Sequence, residues 1–310
     1  MVVALAVPVI AAEYPARPVR IVVSGAPGGA ADLIGRPVAA QIEKQTGWSL
    51  VVDNRAGANG IIATDIVAKA QPDGYTWLVN TVAITINPSV YRKLPYDTER
   101  DILPVTNLAL GSGYMLIANA GVPANTVAEL IALAKKGSRI AYGTPGFGNG
   151  QHLAGELFNL RAGVELLHIA YKGAAPAVTA LLGGEVQLSF APPIIATQYI
   201  KTGRVKALGF TGTARLAALP EVPTIGETVP GYRFVGNWDG WFAPAKTPSA
   251  VVQRMYAEIR QALQLPRIRE AIVAAGYDPV ADTPLEFGGF VKAEIRKYAE
   301  IVRAAKIQPE

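Results

Sequence analysis

Two glycine-rich loops, each lying between a short apolar run and a helical pattern, constrain the fold of this chain most strongly. The first loop, residues 24–32, follows Ile21-Val22-Val23, and the second, residues 143–150, follows the apolar run 140–142. A loop that leads into a helix presents free backbone N–H groups and the positive end of the helix dipole, so it favours an anion. Because the loops are far apart in the sequence, we expect a ligand to be held between two lobes. For each loop taken alone, the alternative is a tight strand-to-helix turn without a ligand.

The composition narrows the class of protein. The chain has 310 residues, of which 50% are hydrophobic, and a formal net charge of +5. This charge indicates either an ordinary, mildly basic surface or an attraction for anionic ligands. Lys and Arg are scattered, without a basic block or an interleaved aromatic stripe, so we expect no nucleic-acid partner. The chain has no Cys, and its two His, His152 and His168, form no recognisable metal motif. We therefore predict no thiol chemistry, no metal site and no cofactor.

The apolar stretch of residues 1–12 is typical of the core and cleavage region of a secretory signal peptide, with cleavage after Ala12. The stretch is too short to cross a bilayer, and no other segment is long enough to do so. A basic flank is missing, which suggests that the true start lies upstream of Met1. The alternative is a buried N-terminal strand.

Strand-like and helix-like segments alternate along the rest of the chain, which is typical of the α/β class. Strands are predicted at 19–23, 48–52 and 75–80, with helices at 32–45 and 61–70 between them; Pro37 should kink the first helix or shift its start. This βαβαβ unit implies a parallel sheet with right-handed crossovers. The middle of the chain should form a core of its own, from strands predicted at 140–142, 166–169, 186–190 and 205–210 and a helix at 175–182.

Local signals mark the faces and starts of several helices. Residues 126–129 and 283–286 have the spacing of capping boxes, and Thr247 precedes Pro248 as an N-cap with Pro at the first helical position. The first predicted helix has one apolar face, formed by Leu33, Ile34, Val38 and Ile42.

A series of different short motifs runs in a fixed order through nearly the whole chain. They include Tyr14-Pro15, Arg17-Pro18-Val19-Arg20, Ala26-Pro27-Gly28-Gly29, Val51-Val52-Asp53-Asn54-Arg55-Ala56-Gly57-Ala58, Pro72-Asp73-Gly74-Tyr75-Thr76, Asn87-Pro88-Ser89-Val90-Tyr91, Leu94-Pro95-Tyr96-Asp97, His152-Leu153-Ala154-Gly155-Glu156, Tyr171-Lys172-Gly173-Ala174-Ala175-Pro176, Val222-Pro223-Thr224 and Ala243-Pro244. Each motif is weak alone, but the ordered set is specific. In this order the motifs resemble the extracytoplasmic solute receptors of tripartite tricarboxylate transporters, known as the Bug family.

The resemblance implies a non-enzymatic periplasmic binding protein of the α/β class, with the type II two-lobed (Venus-flytrap) fold and a hinged cleft. It implies a discontinuous first lobe, residues 13–110 plus 236–310, and a second lobe at 111–235. A carboxylate-bearing organic acid would be held by main-chain N–H groups, small hydroxyl side chains and waters, and closure of the lobes would sequester it. The implied partners are this small acid and the membrane subunits of a transporter, and we expect a monomer.

The candidate site residues follow from the two loops and from this family pattern. Asp32 is interpreted as an N-cap that holds the first loop. Phe147 either stacks on the ligand or plugs the second loop, and His152 is more consistent with a structural role. Lys172 is either a charge partner or a solvated surface residue. The full set of predicted ligand-binding residues is Ser24, Gly25, Ala26, Gly28, Gly29, Ala30, Ala31, Asp32, Thr81, Ala83, Thr144, Gly146, Phe147, Gly148, His152, Lys172, Gly173, Ala174, Pro192, Trp238 and Asp239.

The chain departs from the family pattern on one wall of the expected cleft. Members usually carry Pro and an aromatic residue where this chain has Ser24 and Gly25, and a Thr where it has Ala31. Residues 191–193 are Ala-Pro-Pro instead of the usual Asp, Gly or Asn, and residues 238–241 place two indoles and a carboxylate near the expected hinge. These departures favour an acid that is larger or less polar than a short dicarboxylate, such as an aromatic acid.

Two other functions stay open on the sequence. A ligand-sensing subunit that presents its closed form to a signalling partner would have the same features. The other is an enzyme that uses the glycine loops for a phosphate or nucleotide. The chain, however, has no Gly-x-x-x-x-Gly-Lys-Ser/Thr loop and no Gly-x-Gly-x-x-Gly after the first strand. It also has no nucleophile–His–acid set beyond what two isolated His permit.

Overall fold

The computed structural model of the chain describes residues 14–310, and the predicted signal segment, residues 1–12, lies outside the described residues. The strands are β1 (Val19–Val23), β2 (Leu50–Asn54), β3 (Thr76–Thr81), β4 (Ile102–Gly111), β5 (Met115–Asn119), β6 (Ala141–Thr144), β7 (Leu167–Ala170), β8 (Leu188–Ala191), β9 (Val205–Phe210), β10 (Asn237–Pro244) and β11 (Tyr277–Pro279). The α-helices are α1 (Ala30–Thr46), α2 (Ile61–Ala68), α3 (Ala83–Val90), α4 (Thr98–Asp101), α5 (Val127–Lys135), α6 (Gly150–Ala162), α7 (Ala174–Gly183), α8 (Pro193–Lys201), α9 (Ser249–Gln264), α10 (Pro266–Ala274) and α11 (Pro284–Ala304). In this part of the chain, no helix combines the length and the apolar character that crossing a membrane requires.

The first sheet has six strands in the order β11-β4-β10-β3-β1-β2. Strand β1 pairs in parallel with β2 and β3, as the predicted βαβαβ unit requires, whereas β10 runs antiparallel between β3 and β4. One face packs on α1 and α9, where Trp77 and Trp241 are fully buried. The other face packs on α2, α3 and α11 around Phe242 and Phe287. We call this sheet with its helices the first lobe.

The second sheet has five strands in the order β7-β6-β8-β5-β9, all drawn from residues 115–210. Strand β6 pairs in parallel with β7 and β8, and β5 is antiparallel to β8 and β9. Helix α6 covers one face with the buried Leu153 and Phe158, and α7 and α8 cover the other around Met115 and Phe210. We call this sheet with its helices the second lobe.

Two segments, residues 112–114 and 211–236, connect the lobes and are hydrogen-bonded side by side. The Tyr114 N–H donates to Thr211 Oγ1 (2.7 Å), and the Thr211 N–H donates back to the Tyr114 carbonyl (2.9 Å). Gly113 has φ +147°, and a Cβ there would lie 2.7 Å from Thr211 Oγ1, so this close approach requires glycine. A relative movement of the lobes therefore has to bend this bonded pair of segments.

Helix α1 differs from the sequence prediction at two points. It begins at Ala30 and continues through Pro37, although Pro37 has no N–H to give to the preceding turn. Ile34 and Val38 are fully buried on the sheet, as predicted, but Leu33 is 44% exposed. The apolar face of α1 is thus narrower than predicted, and Leu33 lies on its solvent flank.

The predicted helix caps are found at some starts and not at others. Residues 283–286 form the predicted capping box at α11. At α5 the box is half formed: Thr126 Oγ1 accepts from the Glu129 N–H, but the Glu129 carboxylate accepts from the backbone N–H that precedes Thr126. The N-cap prediction for Thr247 is wrong, because its hydroxyl donates to the Pro244 carbonyl and α9 begins two residues later.

Candidate functional site

The first glycine loop is held in shape by the buried carboxylate of Asp32. Its Oδ2 accepts from the Gly28 N–H (2.9 Å), and its Oδ1 accepts from Arg36 Nη2 (2.6 Å) and Asn54 Nδ2 (3.1 Å). Asn54 Nδ2 also donates to the Gly25 carbonyl (2.8 Å). Burial acts to raise the pKa of Asp32, but the hydrogen bonds from Arg36, Gly28 and Asn54 outweigh burial and lower it. The carboxylate therefore remains charged while its oxygens are occupied by the loop.

Asp32 is not the N-cap of α1, so that prediction is wrong. The N-cap is Gly29, which has no side chain to offer, and Asp32 is the third residue of the helix. From there its Oδ2 reaches back to the Gly28 N–H, while its Oδ1 accepts from Arg36 one turn further along α1. A charged group used in this way supports the loop, and each of its oxygens already accepts a hydrogen bond within the lobe.

The backbone donors of the first loop are divided between the loop itself and the start of α1. Gly28 donates to Asp32, and Gly29 donates to the Ala26 carbonyl (2.9 Å). Within residues 14–310, the N–H groups of Ala30 and Ala31 have no protein acceptor, as is normal in the first turn of a helix. The donors available to an anion therefore include those of the helix start but not those of Gly28 and Gly29.

The second glycine loop is fixed by Asn149 and His152. Asn149 is the N-cap of α6; its Oδ1 accepts from the His152 N–H (2.9 Å) and its Nδ2 donates to the Gly146 carbonyl (2.9 Å). Gly148, at φ +68°, donates its N–H to His152 Nδ1 (3.1 Å). The predicted anion donor Gly148 is thus occupied, and in the described chain the unpaired N–H groups of this loop include those of residues 150–151 at the start of α6.

The two histidines stack on each other beneath this loop. Their ring centroids are 3.8 Å apart, and His168 Nε2 lies 2.7 Å from Thr144 Oγ1, which also donates to the Gly146 carbonyl. Burial lowers the pKa of His152 to about 3, with His168 adding to the shift, and burial lowers the pKa of His168 to about 4. Both rings are neutral at pH 7. They support the loop and supply no positive charge to an anion.

Two further helices begin at the same edge of the second sheet. Because β6, β7 and β8 are parallel, their carboxyl ends meet at one edge, and the helices that follow begin there. Helix α7 begins at Ala174 after Gly173, whose N–H donates to the Pro145 carbonyl (3.0 Å), and α8 begins after the buried Pro192. Lys172, in the preceding turn, is exposed. The structure thus brings Gly173, Ala174 and Pro192 to the edge that carries the second loop.

The predicted residues of the first lobe share an edge in the same way. Ser24 directly follows β1 and donates its N–H to the Val79 carbonyl (3.0 Å), so it lies beside the end of β3. Thr81 ends β3, and its Oγ1 accepts from the Ala83 N–H (3.2 Å) at the start of α3. A Cβ added at Gly25 would meet no atom closer than 4.0 Å, so there is open space at this point.

Trp238 and Asp239 lie in the core of the first lobe. Trp238 is 1% exposed, packs on Phe287 and Phe290, and donates from Nε1 to Glu294 Oε2 (3.2 Å). Asp239 is 0% exposed, and neither of its carboxylate oxygens has a hydrogen-bond partner among residues 14–310. Burial raises the pKa of Asp239 to about 8. Core packing accounts for the indole. The backbone of Asp239 pairs with Thr81 at the end of β3, and its carboxylate is buried.

The second loop also contacts the first lobe directly. Asn59 Nδ2 donates to the Gly148 carbonyl (2.9 Å) across the boundary between the lobes. The Phe147 ring meets Tyr91 edge-on, with 6.3 Å between centroids. The sequence pattern does not mark Asn59 and Tyr91 as parts of the site, since the stretches that contain them indicate only a turn and a family motif.

Two α/β lobes, joined by two connecting segments and carrying helix starts at the edges where they meet, define a two-lobed solute-binding protein. A family model described as "Tripartite tricarboxylate transporter family receptor" matches residues 34–307. The chain therefore belongs to this family, and the predicted fold class and family are confirmed.

Several known proteins are similar to the chain over nearly its whole length. The curated protein BugT of Bordetella pertussis is 35% identical over 96% of this chain and 92% of its own. The solved periplasmic binding protein BugD has a TM-score of 0.87 at 33% identity, covering 96% of this chain and 100% of its own. An R. palustris protein solved with adipate has a TM-score of 0.90 at 32% identity, with coverage of 96% and 100%. MatC from Rhodopseudomonas palustris, solved with bound malate, has a TM-score of 0.86 at 28% identity, with coverage of 93% and 100%.

Proposed function

We propose that this protein captures a carboxylate-bearing organic acid in the periplasm and delivers it, unchanged, to the membrane subunits of a tripartite tricarboxylate-type transporter. The lobes would be residues 13–110 plus 236–310 and residues 111–235. One observation carries the proposal: the first turns of α1 and α6, one on each lobe, leave backbone N–H groups without protein acceptors. Adipate and malate in two solved relatives support a carboxylate as the group that these donors bind.

The electrostatics of the site favour recognition by the backbone. Arg36 is paired with Asp32, and the two histidines are neutral at pH 7. Lys172 is the one cationic side chain among the predicted site residues, and it is exposed. Helix dipoles and unpaired N–H groups stabilise an anion without a fixed counter-charge. This arrangement suits a carboxylate that must bind and then leave.

The first loop leaves room for a ligand wider than a short dicarboxylate. Ser24 and Gly25 occupy positions where the family pattern has Pro and an aromatic ring, and the space beside Gly25 is open to 4.0 Å. We infer that the acid carries an aromatic ring or a comparably large apolar body. A single aromatic face would fill the space that the missing side chain leaves.

A thermal-shift panel tests the ligand class. Benzoate, phthalate, adipate and malate would each be added to the purified protein at concentrations up to 10 mM. At a hundredfold excess over Kd a ligand adds about 2.7 kcal/mol, which corresponds to a rise in Tm of roughly 4 °C for a protein of this size. Stabilisation by aromatic acids supports the proposal. Stabilisation by C4–C6 dicarboxylates alone would remove the size inference, and no response to any carboxylate would remove the proposal itself.

A proline substitution tests the role of the helix start. Ala30→Pro deletes one unpaired N–H at the first position of α1, where proline fits the helix and Gly29 already has the extended conformation (φ −76°, ψ 170°) that precedes proline. Losing one hydrogen bond to a charged group should weaken binding of the best acid about ten- to a hundredfold. Ser249→Pro makes the same change at the exposed start of α9 and should leave the affinity unchanged. Equal affinities of Ala30→Pro and the unchanged protein would contradict this role.

Two assays test delivery without chemistry. Mass spectrometry of an acid incubated with the protein should recover it unaltered, and any turnover would contradict the non-enzymatic function. Uptake of the labelled acid by cells should fall when the gene for this chain is removed. Unchanged uptake together with altered gene expression would instead favour a sensing role.

A further inference from the structure

The side-chain amide of Asn59 donates both of its hydrogens, one to an acceptor on each lobe. Nδ2 donates to Asn87 Oδ1 (2.8 Å) within the first lobe and to the Gly148 carbonyl (2.9 Å) of the second. Asn87 Nδ2 in turn donates to the Asn59 carbonyl (3.1 Å), and Asn87 is fully buried. The Asn59 amide is therefore fixed in orientation by its own lobe and is pre-organised to bind the other.

The residue that it binds, Gly148, is held from both directions. Its N–H donates to His152 Nδ1 within the second lobe, and its carbonyl accepts from Asn59 of the first. A Cβ at Gly148 would lie 2.5 Å from Val90 Cγ2, so glycine allows the first lobe to approach this closely. The backbone of the second loop, two residues before the start of α6, is thus clamped between the lobes.

We propose that Asn59 is a positioning residue that couples closure of the two lobes to the orientation of the second loop. The proposal rests on the proposed function, in that the loop it orients is one of the two that would bind the acid. The bond between Asn59 and Gly148 exists only when the lobes are together. Its formation stabilises the closed arrangement and sets the direction in which the N–H groups at the start of α6 face.

The contact between Phe147 and Tyr91 contributes to the same coupling. It joins the second loop to the first lobe one residue before Gly148 and one residue after Val90. Aromatic edge contacts add a small stabilisation beyond the area they bury, but they tolerate sliding. The directional part of the coupling therefore lies in the Asn59 amide. One net hydrogen bond corresponds to roughly a two- to tenfold change in the ratio of closed to open molecules.

The separation of the lobes can be measured by pulsed electron paramagnetic resonance. The chain has no Cys, so Ala40→Cys in α1 and Thr179→Cys in α7, both exposed positions on different lobes, would carry spin labels without background. Distances would be recorded without acid and with 10 mM adipate. Asn59→Gly is the main variant, because Asn59 has φ +49° and glycine adopts this conformation without strain. Asn59→Asp is a second variant that keeps the shape and removes the donor.

In the protein with Asn59 we expect a population of molecules whose short distance between the two labels matches this structure. In both variants this population should fall two- to tenfold. The matched control is Asn119→Ala, which removes an amide-to-carbonyl bond of 2.8 Å to Leu181 within the second lobe. It should leave the distances unchanged. Circular dichroism would check that each variant is folded.

The proposal is overturned if both folded variants keep the short-distance population, or if the protein with Asn59 shows only long distances under both conditions. The proposed function has a separate failure. Asn59 could control the distance between the labels while no carboxylate changes that distance or stabilises the protein. This result would support the role of Asn59 and contradict the capture of an acid.

Discussion

Replacing Asp32 by Asn should destabilise the protein by about 2–3 kcal/mol at pH 7. The two oxygens of Asp32 accept four bonds, from Gly28 N, from Asn54 Nδ2 and from two nitrogens of Arg36. An amide has one acceptor oxygen. Either the Gly28 N–H, or the Arg36 and Asn54 donors that bind Oδ1, therefore lose their acceptor. A hydrogen bond to a charged group contributes about 1.5–3 kcal/mol. The Arg36 side chain is 46% exposed, so its ion pair adds less than about 1 kcal/mol.

Equilibrium unfolding in urea, followed by the fluorescence of the four Trp, measures this difference. The pKa of Asp32 is lowered in the folded state, so its contribution is present above the unfolded pKa of about 3.9 and is lost as the pH falls through the folded pKa. The difference in the free energy of unfolding between the unchanged protein and Asp32→Asn should therefore narrow as the pH falls from 5 to 3. Arg36→Gln is the control and should cost less than about 1 kcal/mol. A gap below about 0.5 kcal/mol at pH 7, or one that widens in acid, would refute the assigned role of Asp32.

Three further predictions concern other positions. Burial raises the pKa of Asp239 to about 8, so the folded state keeps a proton that the unfolded state releases, and stability should fall as the pH rises from about 4 to 8. Asp239→Asn should remove this fall, which is measured as the difference between the free energies of unfolding in urea at pH 5 and at pH 8. The same pH dependence in both proteins would contradict the raised pKa of Asp239. The C2 proton of His152 should not titrate in NMR spectra between pH 8 and pH 5, because its pKa is about 3; a midpoint near 6.5 would count against the buried stack. Gly148→Ala should weaken binding of the best acid roughly tenfold or more in calorimetry, since φ is +68° and its Cβ would meet Val90, and Val90→Ala in the same chain should restore part of the loss. Undiminished affinity of Gly148→Ala would disprove the close approach.

Local patterns in the sequence predicted the regular part of the fold well. The bounds predicted for residues 19–23 and 205–210 are those of β1 and β9, and the capping box at residues 283–286 is present. These elements depend on hydrophobic runs and on caps within a few residues of each other, which a single sequence displays. The antiparallel strand β10 was not predicted, because its place between β3 and β4 depends on pairing with strands more than 120 residues away.

The site was predicted in outline, and its detail depends on which donors are already used. The glycine loops were found from their position between strand and helix, but Gly28 and Gly148 give their N–H groups to Asp32 and His152. Such side-chain partners are set by the folded geometry and leave no periodic signal. The same holds for Asn59, since the carbonyl it binds lies 89 residues away in the other lobe.

The order of strands in the two sheets has a consequence for how the chain acquires its structure. The second sheet needs only residues 115–210, so every strand pairing it contains is present once that continuous stretch has emerged. The first sheet is different, because β10 separates β3 from β4 and is made only after the whole second lobe. Strand β4 then has neither of its partners until residues 237–279 are available. Pairing over such sequence distances is slow. The lobe that begins the chain is therefore the last to be completed, because β4 pairs only with strands from the C-terminal quarter of the protein.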